Sequence, residues 1–344
     1  MSPDGRYISP QLGTLSGEGS GQRIDQTTAA YPSSSAVWSE RPSRSFESDE
    51  PTYYDRPVLK EAVWIWSVPA YFYVGGTAGA AAVLAASAQA LGRGELDGLV
   101  RSCRWVAAIG GAVGTVFLIH DLGRPERFLH MLRVFRPTSA MSVGSWVLAG
   151  AASATMASAL LSGQEGALGR LGDAAGYSAA LLGMPLAGYT AVLLSSTAVP
   201  LWQVSRHSLP PLFIGSAMSG LASLFGLLPV ELSAREERTV HRFGVAAKLI
   251  DLAAMAAVET KAAQVETVAK PLRQGVSGAL WKAAKALTAA SLALSLLPGK
   301  SGLRRKAVGV FGTAGALALR FAVFHAGKAS ARDPRATFRQ QHSS

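Results

Sequence analysis

The chain has 344 residues and carries 33 Lys and Arg against 22 Asp and Glu, a formal net charge of +11. Such a balance points to nucleic acid in a soluble protein, but here the cations stand in short segments between apolar blocks. No basic stripe is interleaved with aromatics, which argues against that class and for lipid headgroups or partner subunits. Cys103 is the single cysteine, which excludes an intramolecular disulfide and an iron–sulfur cluster held by this chain alone.

Residues 1–55 are rich in Ser, Pro, Gly and charge and bury too little to offset chain entropy, so a disordered polar tail is expected there. Tyr53, Tyr54, Trp64 and Trp66 follow and read as an aromatic belt at a membrane surface. Eight apolar blocks then occupy about 62–90, 105–121, 141–161, 174–197, 209–229, 242–263, 278–297 and 307–325. Each approaches the ~20 residues that cross a bilayer as helix, and none has the alternating pattern of a barrel strand. The fold class predicted is an all-α polytopic membrane bundle of eight spans over 56–328, both termini on one side, with a polar tail over 329–344. Gly75 with Gly79, and Gly110 with Gly114, place small residues one turn apart where backbones approach. Pro69 and Pro185 predict kinks in the first and fourth spans. The excess of Lys and Arg on the side of the termini is too small to assign an orientation.

Between the second and third spans runs His120-Asp121-Leu122-Gly123-Arg124-Pro125-Glu126-Arg127-Phe128-Leu129-His130-Met131-Leu132-Arg133-Val134-Phe135-Arg136-Pro137-Thr138-Ser139. Arg124, Arg127, Arg133 and Arg136 beside Asp121 and Glu126 suggest a short amphipathic helix on the membrane. Its cations would be paired internally, with phospholipid, or with an acidic docking partner.

The run Asp121–Arg127, followed by Met131-Leu132-Arg133 and Phe135–Ser139, resembles the signature of the NrfD/polysulfide reductase family of membrane subunits. Further likeness lies in Pro51–Pro57, in Tyr71–Gly76, in Gly188-Tyr189-Thr190 and in Thr197–Trp202. Ala140 and Val143 depart from it, standing where the family usually has Pro and Trp, and Tyr71 stands where some members carry His. The resemblance implies an eight-helix anchor in the cell membrane, with no haem, metal or cluster of its own. Such an anchor exchanges electrons between quinone and an iron–sulfur subunit wired to a catalytic oxidoreductase subunit. It also implies a quinone pocket near Tyr71, Tyr189 and Arg136, with Arg124, Arg127, Arg133 and Arg136 docking the partner.

The sixth span needs no resemblance to draw notice. At 100° per residue His241, Lys248 and Glu259 fall on one line and Asp251 some 80° away, a polar stripe expected to face the bundle interior. A Lys248–Asp251 pair at i, i+3 would offset part of the ~2.5–3.5 kcal/mol that each charge costs at mid-bilayer. With Asp121 these residues are a candidate proton pathway; snorkelling span ends are the bland alternative. Two other functions use the same features. A transporter would move substrate past the intramembrane charges, although no inverted repeat is evident. A di-haem cytochrome b-type anchor would need paired histidines at matching depth, whereas His120, His241 and His325 lie near span ends.

Overall fold

The structure is a computed structural model that describes residues 7–8, 15–16, 59–92, 94–124, 126–299, 301–334 and 336. Only a helix or a closed barrel satisfies its own backbone in hydrocarbon, and from residue 67 onward the described chain is helical. The elements are α1 Ser67–Gly92, α2 Asp97–Leu122, α3 Glu126–Met131, α4 Ala140–Leu160, α5 Gly166–Ser195, α6 Pro200–Val204, α7 Leu209–Leu224, α8 Ala234–Ala262, α9 Glu266–Arg273, α10 Gly275–Leu296 and α11 Gly302–Arg332. Each of the eight predicted apolar blocks is overlaid by one helix: α1, α2, α4, α5, α7, α8, α10 and α11. Five of them, α1, α2, α4, α5 and α11, are long and apolar enough to cross a membrane, and α7 is a shorter apolar helix. Charges interrupt the other two, Lys248, Asp251 and Glu259 in α8 and Lys282 and Lys285 in α10.

Ile109 and Val116 on α2, Leu181 and Met184 on α5, and Leu249 and Ile250 on α8 are exposed. Outward-facing apolar side chains of this size on several helices are unsuited to water and suited to lipid. The protein is a multi-pass membrane protein, and its long helices run alternately up and down. One face, here the terminal face, gathers residues 59–66, α3, α6, α9 and the end of α11. The far face gathers the 92–97, 160–166, 224–234 and 296–302 connections.

Glycine decides which helices come closest. A Cβ on Gly79 would stand 3.0 Å from the Ala187 nitrogen, and one on Gly110 2.9 Å from the Ala78 Cβ, so α1 packs tightly on both α5 and α2. The most apolar stretch of α1 is 67% buried against 33% for that of α2, which makes α1 central and α2 peripheral. At the far face Glu236 caps two helices at once. It completes a capping box with Ser233 at the start of α8, and its Oε1 accepts the Leu99 N–H of α2 at 2.6 Å.

Two expectations change. Pro69 sits in the first turn of α1, where its missing N–H has no intrahelical partner to lose, so it makes no mid-span kink; Pro185 lies inside α5. The amphipathic segment after α2 is only the six-residue α3, because Gly123 in a left-handed conformation ends α2 and the turns around Pro137 precede α4. Of the expected N-terminal tail, Tyr7–Ile8 and Leu15–Ser16 pair as short antiparallel strands. The rest of 1–58, with Tyr53, Tyr54 and the Pro51–Pro57 motif, lies outside the described residues, as does Pro125.

Candidate functional site

Tyr71 and Tyr189 are brought together near the terminal face. Tyr71, 5% exposed, is in the second turn of α1, and its ring lies along Gly75 and Gly114, whose missing side chains leave it room. Its hydroxyl has no hydrogen-bond partner among the described residues, and the Tyr189 phenol is its electrostatic neighbour. Tyr189, half-buried on α5, donates its proton to the Ala140 carbonyl at the start of α4. Gly144 allows this, because a Cβ there would collide with the tyrosine ring. The free donor of the pair is therefore Tyr71, whereas Tyr189 ties α5 to α4.

Above them the connection from α3 to α4 is held by its own backbone. Ser142 Oγ accepts the Arg136 N–H at 3.0 Å and donates to the Val134 carbonyl, and Ser139 caps α4 by accepting the Ser142 N–H. Phe128 anchors α3 in the core. Arg124, Arg127, Arg133 and Arg136 are all exposed, and no carboxylate pairs with them among the described residues. The expected internal pairing is thus not made, because Asp121 accepts the Ile65 N–H at 3.1 Å instead and fastens the segment before α1. That placement puts Asp121 away from the α8 stripe. Leu129, Val134 and Phe135 are exposed among the arginines, so this surface mixes cations with apolar groups.

The same face is clasped across the chain. Glu61 accepts two hydrogen bonds from Arg332, at 2.7 and 3.0 Å, and lies 3.4 Å from Lys328. The Arg332 guanidinium holds the Glu61 carboxyl below its usual value.

The α8 stripe divides between two surroundings. His241 Nε2 donates to the Ser295 carbonyl of α10 at 2.9 Å. Glu259 takes the Trp281 indole N–H at 2.7 Å and the Lys285 ammonium at 2.7 Å, so both ends of the stripe face α10. Lys248 and Asp251 are buried but form no ion pair with each other, which corrects the expected i, i+3 pair. Physically, the Lys248 side chain runs back toward the start of α8, as helical side chains do, with its ammonium 3.6 Å from where a Gly244 Cβ would be. Asp251 instead sits where Gly215 lets α7 approach the α8 backbone.

The charge that answers Asp251 is Arg320 of α11, which spacing along one helix had not singled out. Arg320 is fully buried, donates from Nη2 to the Phe213 carbonyl at 2.7 Å and stands 3.9 Å over the Phe213 ring. Both Asp251 carboxyl oxygens, Arg320 Nε and Nη1, and the hydroxyls of Tyr73, Thr77, Ser216, Ser219 and Thr313 are buried without a hydrogen-bond partner among the described residues. Such a density of unsatisfied polar atoms is unusual in an interior and makes this cluster a candidate site. The sequence signal was there in outline, since an arginine within an apolar span is rare.

The helical bundle, its lipid-suited outer surface and the polar cluster within it define a multi-pass integral membrane protein. The chain belongs to the NrfD family, described as Polysulphide reductase, NrfD, whose match spans residues 58–330. No curated protein matches it.

Proposed function

We propose that this chain is the quinone-handling membrane subunit of an oxidoreductase complex, exchanging electrons between membrane quinone or quinol and an iron–sulfur partner wired to a catalytic subunit. The chain itself carries no haem or cluster in this reading. One observation carries it: in a member of this family, the unpartnered Tyr71 phenol lies beside Tyr189 directly under the exposed arginines of the α3–α4 connection. Quinone reduction takes up two electrons and two protons, so the site needs a donor at a carbonyl oxygen and a proton route. Tyr71 supplies the donor. Tyr189 accepts or positions, since its own proton is held by Ala140. Arg136 stands at the mouth and, with Arg124, Arg127 and Arg133, meets the acidic surface of the partner. Protons reach the pocket through the Tyr73, Asp251 and Arg320 cluster, with Lys248, His241 and Glu259 beyond it.

The test is quinone affinity and turnover of the assembled complex carrying Tyr71→Phe or Tyr189→Phe. Tyr71→Phe removes one donor and nearly no volume, so affinity falls by ~1–2 kcal/mol, roughly five- to thirty-fold, while the subunits stay together. Tyr189→Phe has a smaller effect on affinity. Unchanged affinity and turnover in Tyr71→Phe would remove the pocket from this face.

A further inference from the structure

A cavity of about 620 Å³ opens at the far face among the ends of α7, α8, α10 and α11, opposite the tyrosine pair. Its cationic lining is Arg238, Arg242, Lys248, Arg304 and Arg305, against the single carboxylate Glu237. Arg304 is committed to the Leu297 and Pro298 carbonyls, and Arg305 leans on Glu237 at 3.7 Å. Arg238 and Arg242 have no partner among the described residues.

Lys248 gives the cavity its character. It is 2% exposed, lines the cavity, and has neither a carboxylate nor a carbonyl partner among the described residues. Gly244, one turn nearer the far face, leaves the space into which the ammonium rises. An unpaired ammonium this enclosed calls for an anion. The remaining wall is apolar, Leu232, Leu294 and Leu297 among it, and the volume is that of about twenty waters. Cations over an apolar wall, at the level where spanning helices end, match a phosphodiester headgroup with the first part of its acyl chains.

We propose that this cavity binds an anionic phospholipid, its phosphate between Lys248 and the Arg238 and Arg242 guanidiniums. The site lies at the other end of the bundle from the quinone pocket and shares Lys248 and His241 with the proton route proposed above.

The full-length chain, purified in detergent and stripped of lipid, is titrated with phosphatidylglycerol, phosphatidylcholine or inorganic phosphate. Thermal unfolding and retained lipid by native mass spectrometry are read. Phosphatidylglycerol is retained and raises the melting temperature, and phosphatidylcholine and phosphate do neither. Lys248→Met weakens phosphatidylglycerol about fivefold and the exposed pair Arg238→Gln/Arg242→Gln about thirtyfold, one cation and two respectively. Lys60→Gln/Lys270→Gln, two exposed cations on the opposite face, leaves it unchanged. Equal shifts with phosphatidylcholine, or equal loss in the opposite-face variant, would overturn the site as general lipid attraction. An equal shift with phosphate alone would make it a free-anion site and overturn the lipid assignment. Should Lys248→Met not fold, the surface pair still decides.

Discussion

Arg320 and Asp251 are opposite charges buried in the same interior without an ion pair between them, and a double-mutant cycle reads their electrostatic coupling directly. Arg320→Met deletes a charge-assisted hydrogen bond to the Phe213 carbonyl, ~1.5–3 kcal/mol, and a desolvated cation–π contact, ~2 kcal/mol. It also leaves the fully buried Asp251 without a counter-charge. Against these losses stands relief of two buried nitrogens that lack partners. The net is destabilisation of ~2–4 kcal/mol, the two lost contacts less that relief. Asp251→Asn removes the other charge and strands Arg320. When both are changed, neither charge is left alone, so the double variant is more stable than the sum of the singles by ~1–3 kcal/mol. Denaturation of the four proteins in one detergent, followed by tryptophan fluorescence, gives the coupling. A coupling within ~0.5 kcal/mol of zero would show that the two groups do not sense each other and would dissolve the cluster.

Gly144→Ala puts a methyl against the Tyr189 ring and breaks its bond to Ala140. The variant loses ~1–3 kcal/mol of stability and also quinone affinity, checked by denaturation and by a binding titration. Glu61 gives an acid-side signature: because its folded value lies below its usual 4.5, its stabilisation is present above that value and disappears as pH falls through the depressed one. Arg332→Gln removes that component from the pH dependence of melting temperature, whereas an unchanged profile would mean the clasp is idle. Charge reversal at Arg124 and Arg136 releases the iron–sulfur partner at moderate salt, measured by co-purification, because both guanidiniums are exposed and unpaired among the described residues. A complex that survives the double reversal would make the loop a lipid anchor.

The five helices long and apolar enough to cross a membrane were legible because apolar length near the bilayer thickness leaves the backbone no other solution. Where apolarity is broken, in α8, the charges themselves carried the signal. Lys282, Lys285 and Arg320 of the last two spans were candidates for their partners, but spacing could not say which meets which: Glu259 meets Trp281 and Lys285 on α10, and Asp251 answers Arg320 on α11. Spacing along one helix brings Lys248 and Asp251 to neighbouring positions, but the lysine runs back toward the start of α8 while the aspartate is set against α7. Tyr71 and Tyr189 came from resemblance. Only the fold reveals that one phenol is free and the other is spent on α4, since Ala140 is 49 residues from Tyr189.

The central claim is electron exchange between quinone and a partner's cluster through a chain with no redox centre of its own. The direct measurement poises the assembled complex in liposomes with varied quinone-to-quinol ratio and follows the partner's cluster by electron paramagnetic resonance, alongside an optical spectrum of the isolated chain. The account predicts that the cluster signal tracks the ratio, that Tyr71→Phe slows the response, and that the isolated chain shows no Soret band. A cluster indifferent to the quinone pool, or a stoichiometric Soret band in this chain, would contradict it.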